Sequence, residues 1–179
     1  MSAPFQAADA ARNSPGKRMD EAAFEALYRR TAGALWAYIH RLTGDAAASD
    51  DLLQKTFFRF LRANPTFADD DHARRWIYRT ATNLTFDHFR ETKRSRERES
   101  AYAPNASRAE SGDLRHDMMR TFGELKPRER ALLWLAHVEE SDHEEISEAL
   151  GVKSGSVRVL LFRARKRLAE LLTKRGLQP

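Results

Sequence analysis

The sequence predicts an all-α protein, built as two small helical bundles joined by a flexible linker, with a helix-turn-helix in the C-terminal bundle. Apolar residues recur with a helical period through most of the 179 residues, and no segment shows sustained alternation of period two. Residues 95–112 hold one large apolar side chain, Tyr102, and a patternless stretch of this length is typical of a linker. The expected boundaries are 1–19 for a mobile N-terminal tail, 20–94 and 113–175 for the two bundles, and 95–112 for the linker.

Three helices are predicted in the first bundle. Gly44 ends the first, because glycine adopts the left-handed backbone that follows many helices. The pair Asn64-Pro65 ends the second, because the residue before a proline avoids helical backbone. The expected bounds are 24–44 and 46–63 for these two helices, 66–71 for a polar loop, and 72–94 for the third helix.

The second bundle is predicted to contain a helix around residues 114–125, another that Pro127 opens, and a helix-turn-helix at 141–172. Ser141 and Glu144 have the spacing of a capping box, which begins the first helix of that motif. Gly151 lies at the turn, and Ser154 or Ser156 can cap the second helix. The buried stripe of this second helix is expected to be Val157, Leu161, Ala164, Leu168 and Leu171.

Positive charge is concentrated on that last helix. Residues 153–175 contain eight basic residues and one acid, whereas the whole chain has a formal charge of +5. The preceding residues 139–148 contain six acids and no lysine or arginine. A solvated basic helix near a C-terminus would also suit the helix dipole. Turn, capping and concentrated charge together favour a helix that neutralises the phosphates of duplex DNA.

A second candidate surface lies on the predicted third helix. Trp76, Asn83 and Asp87 share one stripe with Thr80, roughly opposite the apolar positions, and Arg79 and Arg90 lie at its edge. An aromatic ring, an amide and guanidinium groups on one exposed face can stack on bases, bind base edges and hold phosphates. This stripe alone is a weak indication, because aromatic residues in small bundles are mostly core.

Composition excludes several classes of protein. The absence of cysteine excludes disulfides and thiolate metal sites. No apolar run approaches a membrane span, and the first 18 residues lack the apolar stretch of a signal peptide, so we expect a cytoplasmic protein without membrane insertion. The Asp69-Asp70-Asp71-His72 run precedes a helix, where acids are favourable, and His143-Glu144-Glu145 lacks a second histidine one turn later. We therefore expect no metal, no cofactor and no catalytic residue.

The order of four motifs resembles the extracytoplasmic-function sigma factors of the sigma-70 family. Residues 49–57, SDDLLQKTF, look like their Glu-Asp-Leu-Val-Gln-x-x-Phe segment, and residues 76–90 look like their Trp-Leu-x-x-Ile-Ala-x-Asn-x-x-x-Asp-x-x-Arg helix. Residues 125–130, LKPRER, and the run from 145 to 168 resemble their second conserved domain. The resemblance covers about residues 24–172 apart from the linker, and it implies a promoter-specificity subunit of RNA polymerase.

The resemblance also implies partners and site residues. The second helix would dock on the clamp helices of the β′ subunit. The second bundle would contact the β flap and bind the minus-thirty-five element. The first bundle would meet the minus-ten element, and an anti-sigma factor is a further expected partner. The implied core-binding residues are Asp51, Leu52, Gln54 and Phe57; those for the minus-ten element are Asn64, Phe67, Trp76, Arg79, Asn83 and Arg90; and those for the minus-thirty-five element are Lys153, Ser154, Ser156, Arg158, Arg163, Arg165 and Lys166.

The sequence departs from the family pattern at one point. Val159 and Leu160 stand where the family commonly has Ser-Arg, so one phosphate or base contact is missing. Leu160 is expected to touch a thymine methyl or to lie exposed.

Three alternative functions are weighed against the sigma-factor interpretation. A stand-alone helix-turn-helix regulator would not need the polymerase motifs before residue 95. A sigma-like decoy that binds a sigma inhibitor would not need a basic recognition helix. A metal-dependent nuclease is the most distant alternative.

Overall fold

A computed structural model describes residues 17–18, 20–67, 69–99 and 114–176 of the protein. Residues 1–16 of the predicted tail and residues 100–112 of the predicted linker lie outside the described residues. Within the described ranges the regular secondary structure is helical apart from two very short strands, which confirms the all-α prediction. The elements are β1 Lys17–Arg18, α1 Glu21–Thr43, α2 Ala46–Ala63, β2 Thr66–Phe67, α3 Asp70–Glu99, α4 Leu114–Gly123, α5 Pro127–His137, α6 His143–Leu150 and α7 Ser154–Lys174.

The loop expected at 66–71 is partly strand. Thr66 and Phe67 form β2, which pairs in antiparallel register with Lys17 and Arg18 of β1. The ring of Phe67 is buried and stacks on that of Phe60, with 5.5 Å between the ring centroids. Two residues of backbone pairing and one buried aromatic ring therefore fix this segment against the end of α2.

Helix α3 is longer than predicted. It begins at Asp70, after Asp69 accepts a hydrogen bond of 2.7 Å from the backbone N–H of His72, and it continues to Glu99. Residues 95–99, predicted to belong to the linker, are helical because no glycine or proline interrupts the Arg- and Glu-rich sequence there. The acidic run at 69–71 thus starts a helix, and Asp70 also forms an ion pair of 2.6 Å with Arg30.

The helix-turn-helix is present, with caps that differ from the prediction. Asp142, one residue after Ser141, caps α6 by accepting hydrogen bonds from the backbone N–H groups of Glu144 and Glu145. Gly151 ends α6 with a φ of 61°, as the sequence predicts. Lys153 precedes α7 and no side chain caps that helix, so Ser154 and Ser156 do not have the capping role expected of them.

The first bundle packs α1, α2 and α3 around a core of aliphatic and aromatic side chains. Buried hydroxyl groups are hydrogen-bonded inside it: the Tyr38 hydroxyl lies 2.8 Å from that of Thr82, and Thr56 donates to the carbonyl of Leu52. Burial of the ring raises the pKa of Tyr38 well above its usual range, so this phenol stays protonated. The buried face of α3 contains Ala73, Ile77, Ala81 and Leu84.

The two bundles pack directly against each other in this structure. Helices α3 and α6 are adjacent, as are α1 and α5, and one cluster of buried apolar residues runs from the first bundle into the second. Ile77 and Tyr78 of α3 belong to the same cluster as Leu132, Leu135 and Ile146. A smaller cluster lies entirely in the second bundle and contains Leu125, Leu133, Ala164 and Leu171.

Candidate polymerase and nucleic-acid interfaces

Helix α2 carries one exposed face with both polar and apolar side chains. Asp51 and Gln54 are exposed, and Asp51 forms an ion pair of 2.6 Å with Lys55. Phe58 and Leu61 are 65% and 54% exposed. Phe58 follows Gln54 by four residues and Leu61 follows Phe58 by three, so all three lie on one side of the helix. We call Asp51, Gln54, Phe58 and Leu61 the α2 face. Large solvent-exposed apolar side chains beside an acid and an amide are typical of a protein-binding surface.

Two of the residues predicted for polymerase binding point into the protein. Leu52 and Phe57 are 3% and 5% exposed and belong to the main core cluster. Because their side chains are buried, they anchor the helix and cannot touch a partner on the α2 face. The sequence-based prediction did not include Phe58 and Leu61, the exposed large apolar residues of this helix. Apolar residues are so dense between positions 52 and 61 that periodicity alone does not separate the buried ones from the exposed ones.

The predicted stripe on α3 is only partly exposed. Asn83 is exposed, and Arg90 is exposed and paired with Asp87. Trp76 and Arg79 are half-buried, and the indole of Trp76 makes an edge-to-face contact of 5.5 Å with Phe60. Trp76 therefore helps to join α3 to α2, and its ring is less exposed than the predicted stripe implies. The exposed residues of this surface are Asn83 and Arg90.

Of the two residues around the loop before α3 that were predicted to bind the minus-ten element, one is exposed and one is buried. Asn64 is exposed and ends α2 with a positive φ of 40°, a conformation that asparagine tolerates better than most residues. Phe67 is 7% exposed, so its ring is part of the core and not an aromatic platform for a base. Asn64 and Asn83 thus remain the exposed amides of the first bundle among the predicted minus-ten residues.

Helix α7 presents a cationic face opposite its buried stripe. Val157, Leu161, Ala164 and Leu171 are buried as predicted, and Leu168 is half-buried. On the outer side Arg158, Arg163, Arg165 and Lys166 are exposed, together with Lys153 and Ser154 at the turn, while Ser156 is half-buried. Arg165 donates a hydrogen bond of 3.2 Å to the ring of His137. Within the described ranges, Arg158, Arg163 and Lys166 have no acidic partner, so their charge is directed to solvent.

Several apolar residues of α7 lie outside its predicted buried stripe. Leu160 is half-buried against the main core cluster, so the expectation that it lies exposed is wrong. Val159 and Phe162 are 49% and 66% exposed and lie between the cationic side chains. We call Arg158, Val159, Phe162, Arg163 and Lys166 the recognition face. Sequence periodicity places Val159 and Phe162 off the buried stripe, which is the signal that identifies them.

Both halves of the chain match known protein families. Residues 27–95 match the family described as Sigma-70 region 2, and residues 115–168 match Sigma-70, region 4. The first range contains the α2 face and most of α3, and the second contains the recognition face. Taken together, the two matched ranges cover more than half of the protein.

Individual relatives have names from the same family. The RNA polymerase sigma-E factor of Streptomyces avermitilis is 31% identical, with 86% of this chain and 87% of that protein covered. The ECF RNA polymerase sigma factor SigE of Mycolicibacterium smegmatis is also 31% identical over 84% of this chain, which spans 62% of the length of that relative. The RNA polymerase sigma factor CarQ of Myxococcus xanthus is 28% identical over 84% of this chain and 89% of that protein.

Solved structures share the fold. One is the sigma factor RpoE in complex with the anti-sigma factor NepR from Bartonella quintana, with a TM-score of 0.69, 20% identity, and coverage of 84% of this chain and 96% of that one. Another is CnrH in complex with the cytosolic domain of CnrY, with a TM-score of 0.62, 24% identity, and coverage of 87% and 90%. Among the described residues, no helix is long and apolar enough to cross a membrane. The chain belongs to the extracytoplasmic-function sigma factors of the sigma-70 family, which direct transcription initiation by RNA polymerase and are not enzymes.

Proposed function

We propose that this sigma factor binds core polymerase through the α2 face, with the clamp helices of β′ as its partner. Asp51 and Gln54 supply polar groups, while Phe58 and Leu61 supply the apolar area that a stable protein contact needs. Leu52 and Phe57 support this face from behind by fixing α2 in the core. The second bundle would meet the β flap, and binding to polymerase places the protein in the cytoplasm.

The recognition face of α7 is proposed to enter the major groove of the minus-thirty-five element. The exposed cations Arg158, Arg163 and Lys166 suit phosphates and guanine edges, to which arginine can donate two hydrogen bonds. Val159, at the first position of the usual Ser-Arg pair, and Phe162 offer apolar contact to thymine methyl groups. This cationic face opposite a buried stripe is the observation that most strongly supports promoter recognition.

The surface around Asn83 is proposed to act on the minus-ten element after strand opening. Asn64, Asn83 and Arg90 are exposed, and Arg79 is half-buried on the same helix as the last two. Amides and guanidinium groups can hydrogen-bond to unpaired bases and phosphates. Trp76 would support this surface from within the bundle, because its indole already packs on Phe60.

An anti-sigma factor is a further proposed partner. One solved structure with the same fold is a sigma factor bound by an anti-sigma factor, and another is CnrH bound by the cytosolic domain of CnrY. The exposed apolar groups of the α2 face are a suitable surface, because an inhibitor that covered them would also prevent polymerase binding.

Run-off transcription with core polymerase and genomic DNA tests the whole proposal. We expect discrete transcripts that depend on added sigma factor. A stand-alone helix-turn-helix regulator would bind promoter DNA without core polymerase and would give no such transcripts. A decoy would bind an inhibitor and fail to bind DNA even in the presence of core.

A further inference from the structure

The loop between α2 and α3 carries the wrong charge for the strand it is proposed to bind. Residues 63–73 contain three acids, Asp69, Asp70 and Asp71, and no lysine or arginine. All three acids are exposed. A surface that binds nucleic acid needs positive charge to replace the counterions of the phosphates. Asn64, at the start of this loop, therefore needs cations from another part of the chain.

The short strand β1 brings positive charge to the loop. Lys17 and Arg18 pair in antiparallel register with Phe67 and Thr66. Both residues of β1 are basic, so this pairing places two formal positive charges beside the loop. Arg30 of α1 is already neutralised by its ion pair of 2.6 Å with Asp70. The two charges of β1 therefore offset the other two acids of the loop.

Both partners of this pairing are attached to the folded bundle. Asp20 follows β1 by two residues and caps α1, where its side chain accepts a hydrogen bond of 2.8 Å from the backbone N–H of Ala23. On the other strand, Phe67 is buried and its ring stacks on that of Phe60. The pairing thus joins the beginning of α1 to a loop that is fixed at the end of α2.

The pairing also restrains the backbone around Asn64. The N–H of Asn64 donates a hydrogen bond of 3.0 Å to the carbonyl of Phe60, which fixes the side of the loop that leaves α2. On the other side, β2 begins at Thr66, two residues after Asn64. Two residues of strand pairing are weak by themselves, so a small change in β1 should be enough to release this second restraint.

We propose that β1 is part of the surface that binds the opened minus-ten strand. Its two positive charges attract the phosphates of that strand, and its pairing with β2 holds Asn64 where the amide can reach a base. This inference rests on the proposed function, because it takes the loop before α3 as a contact of the minus-ten element. It adds to that contact a segment of the chain that precedes the first bundle.

The salt dependence of binding tests the contribution of charge. Lys17→Gln with Arg18→Gln removes both charges and leaves the backbone able to pair. For holoenzyme on a pre-melted bubble template, the slope of log K against log salt should become less steep by roughly 1.4, since each phosphate contact on a single strand contributes about 0.7. Arg29→Gln with Arg59→Gln is the matched control, because it removes two exposed charges from the same bundle. That control should keep the wild-type slope, and both double variants should bind core polymerase normally.

A double-mutant cycle tests the contribution of strand pairing. Lys17→Pro with Arg18→Pro removes the same charges as the glutamine pair and also removes both backbone N–H groups of β1. Asn64→Gly removes the amide and tolerates the positive φ at that position. In the wild-type chain and in the glutamine pair, Asn64→Gly should weaken binding to the bubble template roughly fivefold. In the proline pair it should have little further effect, because Asn64 is no longer held in place.

Each result supports or overturns the inference. An unchanged salt slope in the glutamine pair, or an equal effect of Asn64→Gly in all three backgrounds, would overturn it. Weaker binding of core polymerase by the glutamine pair would assign β1 to the polymerase and not to DNA, which also overturns it. If the proline pair loses helicity by circular dichroism, the glutamine pair decides. Failure of wild-type holoenzyme to bind the bubble template would instead contradict the proposed function.

Discussion

Arg158 and Asn83 are exposed on different bundles and should act at different steps of initiation. Arg158→Ala removes a group that contributes about 1–3 kcal/mol of discrimination when it binds guanine in duplex DNA, so closed-complex formation by holoenzyme should fall roughly tenfold or more. Asn83→Ala should leave duplex binding largely intact and slow strand opening, a defect that a pre-melted bubble template relieves. Permanganate footprinting on duplex and bubble templates measures both effects. Equal loss of binding by both variants, with no rescue on the bubble, would contradict this division of roles.

At the scale of single residues, sequence periodicity predicts burial well where burial depends on one helix. Val157, Leu161 and Ala164 are buried because their spacing places them on one side of α7, whatever that helix packs against. The surroundings of Trp76 and Glu139 could not be predicted, because they come from distant parts of the chain. Glu139 lies in an acidic run that looks solvated in sequence, and its partner Arg74 is 65 residues away.

Among the elements, α2 supports a prediction about polymerase binding. Asp51→Ala with Gln54→Ala, and separately Phe58→Ala with Leu61→Ala, should each weaken association with core polymerase by roughly tenfold or more. Helicity and thermal stability should stay nearly constant, because all four side chains are exposed. Arg59→Ala is the matched control, since Arg59 is exposed on another side of the same helix. Normal binding by both double variants would show that polymerase contacts a different element.

The turn between α6 and α7 supports a prediction about stability. Gly151 has a φ of 61°, where a side chain is strained even though no atom beyond its chain neighbours lies within 4 Å of the position that a Cβ would occupy. Gly151→Ala should therefore reduce the free energy of unfolding by about 1–2 kcal/mol. Gly155, in the first turn of α7, also has open space but helical backbone, so Gly155→Ala should be neutral or stabilise by roughly 0.5–1 kcal/mol. Thermal and urea unfolding followed by circular dichroism separate the two cases. An equal loss of unfolding free energy in both variants would show that backbone conformation does not decide the effect.

For the whole molecule, the contact between the two bundles predicts that the fragments produced by limited proteolysis stay associated. The sequence places a linker at 95–112, and the helical residues 95–99 narrow the expected cleavage region to 100–112. Brief proteolysis should cut there first and give two helical fragments of similar size. Because Glu139 and the shared apolar cluster join α3 to α5 and α6, the fragments should still elute together from a sizing column. The same digestion of the Glu139→Gln variant should give fragments that elute separately, and Glu140→Gln should behave like the wild-type chain. Cleavage elsewhere first would contradict the linker assignment, whereas separate elution of the wild-type fragments would show that the interface is too weak to hold the bundles together.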